Sequence, residues 1–143
     1  MLIREAEARD QTQLFELYKM LVPRSKKMNV LEEQIEKIRQ DPNHFLFVYE
    51  NDGEILGTVT LNICLQALHG DRPYAITENV VVHEQHRNNQ IGQKLFKYIE
   101  EYCKSMNCHR IMLLSNSTRQ EAHRFFEREG FDGSVSRGFK KYL

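Results

Sequence analysis

The stretch VVVHEQHRNNQIGQKLF, Val80 to Phe96, constrains the fold of this chain more than any other. It opens on a run of β-branched residues and crosses a polar turn carrying one arginine and two asparagines. It then resumes with Ile91, Leu95, Ile99, Tyr102 and Met106 at helical spacing. Strand, tight polar turn and helix in that order seat a helix N-terminus at the end of a strand. The first amides of a helix have no intrahelical partner, and the macrodipole adds partial positive charge there. Both effects favour an anion. The amides concerned run from Asn88 through Asn89, Gln90 and Ile91 to Gly92, and Arg87 adds a full charge. Gly92 lets another backbone approach, and Asn88 and Asn89 tolerate left-handed turn geometry. On spacing alone two readings stand: an anion cradle, or an ordinary connection capped by asparagine. The glycine-rich alternatives G-x-G-x-x-G and G-x-x-x-x-G-K-[ST] are absent, as is the nucleophile elbow G-x-S-x-G.

A chain of 143 residues suits a single domain, residues 1–143, around one sizeable core. Its 20 basic and 20 acidic residues argue against nucleic acid or an anionic membrane surface as the main partner. The opening MLIREAEARD is charged from Arg4 onward and has no signal-peptide pattern. No apolar run approaches the ~20 residues of a membrane helix, so a soluble, cytoplasmic protein is expected. Cys64, Cys103 and Cys108 are odd in number and have no framework spacing, which predicts reduced thiols. With His109 beside Cys108 the ligand count still falls short of a structural zinc, and no metal is expected.

MLIREAE reads as a first strand. Asp10 reads as the N-cap of a helix carrying Leu14, Leu17, Tyr18 and Leu21. Leu31, Ile35 and Ile38 mark a second helix, ended by Asp41-Pro42, with EEQIEKIRQ presenting a solvated face. HFLFVYE and EILGTVTLNICL form a hairpin about the turn at Asn51–Gly53. AITENVVV is a strand, and a helix follows from Asn89 to about Met106. HRIMLLS is a further strand, TRQEAHRFFERE a helix with Gly130 at its C-terminus, and FDGSVSRGFKKYL holds one or two last strands. The order β-α-α-β-β-β-α-β-α-β(-β) predicts an α/β chain of the α+β type. Its mixed, mostly antiparallel central sheet would have about six or seven strands and helices on both faces.

VVVHEQHRNNQIGQKLF resembles the acyl-CoA-binding signature of the GNAT superfamily, the Gcn5-related N-acetyltransferases. That signature is a hydrophobic strand followed by [R/Q]-x-x-G-x-[G/A] at a helix start. Arg87 takes its first position, Gln90 stands where the first glycine is usual, and Gly92 matches the second. EAHRFFEREGF, Glu121 to Phe131, resembles the second block of the family, an alanine before an aromatic pair and a closing Gly-Phe. The order of elements matches as well. The resemblance implies acetyl-CoA as co-substrate, with its pyrophosphate on the helix start from Arg87 to Gln93. The pantetheine arm would lie along Val80, Val81 and Val82 as an added strand does. That requires the strand ending at Val82 to splay from RIMLLS. At the substituted position, Gln90 must adopt helical angles or its side chain must clear the phosphate. Asn116 bonds the cofactor or caps the following helix, and Arg119 reaches a phosphate or is a solvated first-turn charge. Phe126 packs on the pantetheine.

An alkyl amine has a pKa near ~10.4 and attacks a thioester only once deprotonated, so a carboxylate is needed beside it. Glu78, set in the apolar strand AITENVVV where family members have their general base, is the candidate; the alternative is a solvent-facing strand residue. A strand amide near Val80 would meet the oxyanion. Where many members protonate the departing thiolate with a tyrosine, this chain has Phe126, and Tyr74, Tyr98 or His123 are the substitutes at hand. The implied activity is acetyl transfer from acetyl-CoA to a primary amine of a small molecule, by direct attack. EAHRFF and the short length are also similar to small-molecule members such as aminoalkylphosphonate acetyltransferases. The competing readings are acetylation of a protein lysine or N-terminus, and a CoA-binding module without catalysis. The first two helices and the C-terminal strands are expected to hold the acceptor. A homodimer is a further expectation of the resemblance.

Overall fold

A computed structural model describes residues 1–143, which form two compact units, Met1–Met112 and Leu113–Leu143. In the first, strands β1 (Leu2–Glu5), β2 (His44–Asn51), β3 (Glu54–Cys64), β4 (Tyr74–Val82) and β5 (Ile111–Met112) form one sheet in sequence order. Every pairing is antiparallel except β4 with β5, which is parallel. Helices α1 (Gln11–Leu21) and α2 (Glu32–Gln40) precede the hairpin, and α3 (Ile91–Ser105) links β4 to β5. The β2–β3 turn has positive φ at both Asp52 and Gly53. Two-residue hairpins favour this geometry because it matches the twist of the strands.

The sheet is buried on both faces, and β2 shows how the pleat sorts its side chains. Leu46 and Val48 join Leu14, Leu17, Ile35 and Val81 in the cluster beneath α1 and α2. Phe45 and Phe47, one step out of phase, meet Tyr102 of α3 edge-on at 4.8 and 6.3 Å, and Phe47 also meets Tyr98 at 5.0 Å. Alternate residues of a strand point to opposite faces, so one apolar run serves two layers. At Gly57 of β3 an added Cβ would stand 3.0 Å from Ile91 Cγ2 and 3.1 Å from Leu95 Cδ1. The missing side chain is what lets the first turns of α3 lie directly on the sheet.

The second unit holds one helix, α4 (Gln120–Arg128). Gly130 ends it with φ 96, while the Phe131 amide donates to the Phe126 carbonyl at 3.0 Å. This is the left-handed C-terminal motif that glycine favours. Asn107 performs the same role after α3 with φ 59, and the Cys108 amide donates to the Cys103 carbonyl at 2.9 Å.

The order of elements through α4 is as expected, but the sheet has five strands rather than six or seven. The segment 131–143 contains no strand, and Val135, Phe139 and Tyr142 are exposed. A strand exists only when it pairs, and this segment is cut by Gly133 and Gly138 into pieces too short to pair with each other stably. HRIMLLS is a strand only at Ile111 and Met112. Asp10 precedes α1 but makes no capping bond to it. Its carboxylate is taken by Arg4 in a bidentate pair at 2.7 and 2.9 Å and by the Glu7 amide at 2.8 Å.

Candidate active site

The site is built where β4 departs from regular pairing. Thr58 of β3 lies opposite Val81, but Thr60 lies opposite Glu78, so Asn79 and Val80 together face the single residue Val59. This is a bulge, and Asn79 sits in left-handed geometry with φ 53. Glu78 and Val81 are three apart, yet both share the sheet face of Thr58 and Thr60, because cross-strand partners project together. Val81 is buried in the α1 cluster while Glu78 is exposed. The two-for-one step disrupts the regular ladder beside Val80.

The other edge of β4 is open over most of its length. Pairing with β5 is confined to Ala75 with Ile111 and Ile76 with Met112. From Thr77 to Val82 that edge of β4 has no strand neighbour within the sheet. This is the divergence that strand-like docking of a ligand arm requires.

Beyond Val82 the chain turns through a 3-10 segment at Glu84–His86. The Gln85 amide donates to His83 Nδ1 at 3.1 Å, and the His83 amide to the Leu56 carbonyl at 2.8 Å. Arg87 Nε donates to the Val82 carbonyl at 3.3 Å, which folds the exposed guanidinium back toward the strand end. Asn88 and Gln90 are both left-handed, with φ 71 and 61. Helix α3 starts at Ile91, two residues later than the sequence spacing suggests, and no side chain caps it. The asparagine-capped reading is therefore excluded. Lys94 makes the first bond, to the Gln90 carbonyl at 3.0 Å, leaving the amides of Ile91, Gly92 and Gln93 without helical partners. The first turn holds no acidic residue to offset the dipole.

Gln90 does not adopt helical angles, which corrects the first of the two sequence alternatives. It is the N-cap with φ 61 and ψ 17. That backbone region is open to glycine and strained for a residue with a Cβ, which accounts for a glycine being usual there.

Thus Glu78, Val80, Val81, Val82 and Arg87 to Gln93 form one continuous stretch of strand end, turn and helix start. Asn116, Arg119 and Phe126 lie in the second unit. Asn116 Oδ1 accepts from the Thr118 amide at 3.0 Å and the Thr118 hydroxyl at 2.7 Å, closing the turn before α4. Arg119 is exposed at the N-terminal boundary of α4. Phe126 is buried edge-on to Phe125 and Phe131.

Two of the tyrosines considered for proton transfer are engaged elsewhere. Tyr74 lies under the Arg110 guanidinium at 4.6 Å, and Tyr98 packs on Phe47, on the sheet face opposite Glu78. His123 hydrogen-bonds the Asn116 carbonyl at 2.9 Å. Cys103 is buried in α3, and burial, with Cys108 beside it, pushes its thiol up to about 12. It is a core residue rather than a nucleophile. No group of His, Cys, Asp or Glu is placed to hold a metal ion. No helix is long and apolar enough to cross a membrane.

Two positions that shape this site were not singled out from the sequence: Gly57, a lone glycine inside a strand, and Asn79, a polar residue interrupting an apolar strand.

Residues 9–131 match the acetyltransferase (GNAT) family. The chain is 34% identical over 104 residues to the aminoalkylphosphonate N-acetyltransferase of Salmonella typhimurium, covering 72% of this chain and 66% of that protein. It is 29% identical over 85 residues to the glucosamine 6-phosphate N-acetyltransferase of Arabidopsis thaliana, covering 57% of each. The matches thus span less than two thirds of either relative. Crystallographic glucosamine-6-phosphate N-acetyltransferase from Arabidopsis thaliana superposes with a TM-score of 0.84 at 28% identity, covering 99% of this chain and 97% of that one. A protein of Agrobacterium tumefaciens assigned as an acetyltransferase superposes over the full length of both chains, with a TM-score of 0.90 at 29% identity. The chain belongs to the GNAT family of acetyltransferases.

Proposed function

We propose that this protein transfers the acetyl group of acetyl-CoA to a primary amine of a small molecule, by direct attack with both substrates bound. The observation that carries the reading is the bulged, open-edged β4 running straight into an uncapped helix start. One segment thereby offers free strand groups for the pantetheine arm and free amides for the pyrophosphate. Arg87 adds charge beside those amides. Both curated relatives are named for small acceptors that carry an amine and a phosphorus oxyanion. In this chain Arg24, Lys26 and Lys27, exposed between α1 and α2, are suited to such an acceptor.

In the reaction, Glu78 holds the incoming ammonium and takes its proton. The freed nitrogen lone pair attacks the thioester carbonyl carbon. A main-chain amide at the bulge, near Val80, meets the oxyanion. As the C–N bond forms, the C–S bond breaks and its electron pair leaves on sulfur, while the nitrogen gives up its second proton to water as it becomes the amide. A thiol has a pKa near ~8.5, so the thiolate departs without a dedicated acid and takes a proton from water, consistent with phenylalanine at 126.

Thiol release from acetyl-CoA across a panel of small amines, with and without phosphate or phosphonate groups, tests the reading. A stimulated rate with a small amine is expected. Stimulation only by peptides would replace the acceptor with a protein, and CoA binding without release under any acceptor would leave a binding module. Glu78→Gln should lower kcat/KM for the amine about 100-fold at neutral pH, with the loss shrinking as pH rises toward the pKa of the amine. An unchanged kcat/KM rules out Glu78 as base.

A further inference from the structure

The bulge that brings Glu78 to the α1 face of the sheet also sets it next to a phenol. Thr60 is the cross-strand partner of Glu78, and Thr58 the partner of Val81. Tyr18 of α1 faces both threonine hydroxyls. Directly opposed side chains on one sheet face stand about 5 Å apart at Cβ, so Tyr18, Thr60 and Glu78 are successive neighbours. Thr58 is fully buried and its hydroxyl donates to the Phe47 carbonyl at 2.8 Å. The phenol oxygen carries two lone pairs and can accept from a donor arriving from the side of Thr60 and Glu78. Tyr18 is half-buried and packs against the α1 cluster. Burial raises its ionisation above the usual phenol range, partly offset by the two threonines, so it remains a neutral hydrogen-bonding group near neutral pH.

We infer that the Tyr18 hydroxyl, backed by Thr58 and Thr60, binds the acceptor nitrogen opposite Glu78 and orients it for attack. This rests on the reading of Glu78 as base. An alkylammonium has three N–H donors: one goes to the Glu78 carboxylate and one to the phenol oxygen. After Glu78 takes its proton, the bond to Tyr18 persists. The nitrogen is then held by a neutral acceptor that does not compete for its lone pair. A second carboxylate there would hold the ammonium protonated, whereas a phenol holds it without charge.

Tyr18→Phe removes only the hydroxyl, and Thr58 keeps its bond to Phe47. The variant should lose about 10-fold in kcat/KM for the amine, while KM for acetyl-CoA and the melting temperature stay at wild-type values. Thr60→Val, close to isosteric, should lower the same parameter by a smaller factor, and it serves as the test if the Tyr18 variant does not fold. Unchanged amine kcat/KM overturns the inference. So does a loss matched by a fall in melting temperature and a rise in KM for acetyl-CoA, which marks Tyr18 as a packing residue alone. The two readings fail separately. If Tyr18→Phe is impaired and Glu78→Gln is not, the base is wrong and the phenol contact stands. If Glu78→Gln is inactive and Tyr18→Phe is not, the base stands and the phenol contact falls.

Discussion

Asp10 illustrates how a single residue takes a partner that sequence proximity does not reveal. Its pattern position is a helix cap, but Arg4, six residues earlier, offers two charge-assisted bonds in bidentate geometry, with Glu50 on the far side of the guanidinium at 3.3 Å. Such a pair is stronger than a cap bond to a neutral amide. Burial pushes the Asp10 carboxyl upward, but Arg4 and the Glu7 amide hold it below the usual carboxylate range. A folded value below the unfolded one stabilises the fold above about pH 4, and that contribution fades as pH falls through the folded value. Asp10→Asn should therefore cost about 2 kcal/mol at pH 7, with the gap to wild type narrowing below about pH 4. Urea denaturation of both proteins at pH 7 and pH 3 checks this.

At the scale of elements, the site depends on how β3, β4 and α3 meet. Gly57 lies opposite Val82 on β4 and under Ile91 and Leu95 of α3, so it joins the strand end to the helix start. Gly57→Val would drive a branched side chain into Ile91 Cγ2 and lift the first turn of α3. The expected cost is about 2 kcal/mol of stability. CoA binding should weaken as well, because the amides of Ile91, Gly92 and Gln93 move with that turn. Chemical denaturation and CoA titration report the two effects separately; lost stability with unchanged CoA affinity would show that the first turn of α3 does not bind the cofactor. The strand, turn and helix of this segment were legible from apolar periodicity and from the polar break between them. The bulge at Asn79 was not, because nothing local makes Val59 oppose two residues: the register on either side requires it.

For the molecule as a whole, a formal net charge of +0 conceals a local asymmetry. The start of α3 has no acidic residue in its first turn, and Arg87 precedes it. Binding of a polyanion there should weaken with added salt, since exposed charges are screened over about 8 Å at physiological ionic strength. CoA at about 100 times its Kd should add about 2.7 kcal/mol of stability. For a chain of this length that corresponds to a rise of roughly 5–10 °C in Tm. Arg87→Ala should reduce that rise and its salt dependence without altering the Tm of the free protein, as thermal melts in low and high salt would show. An equal rise in the variant would remove Arg87 from the cofactor site.

Periodicity, turn residues and the two family blocks were enough to determine the class of fold and the strand–turn–helix segment, and to single out Glu78 as the carboxylate to examine. These are local properties, written in spacing along a single chain. Pairing decided the remainder. Five strands form because residues 131–143 and most of HRIMLLS have no ladder partner in the sheet. The edge of β4 is open because its pairing to β5 ends at Ile76 and Met112. Glu78 and Val81 share one face of the sheet because a two-for-one step in β4 puts residues three apart on the same side. Which side chains share a face depends on the register between strands distant in sequence, and no window along the chain contains it.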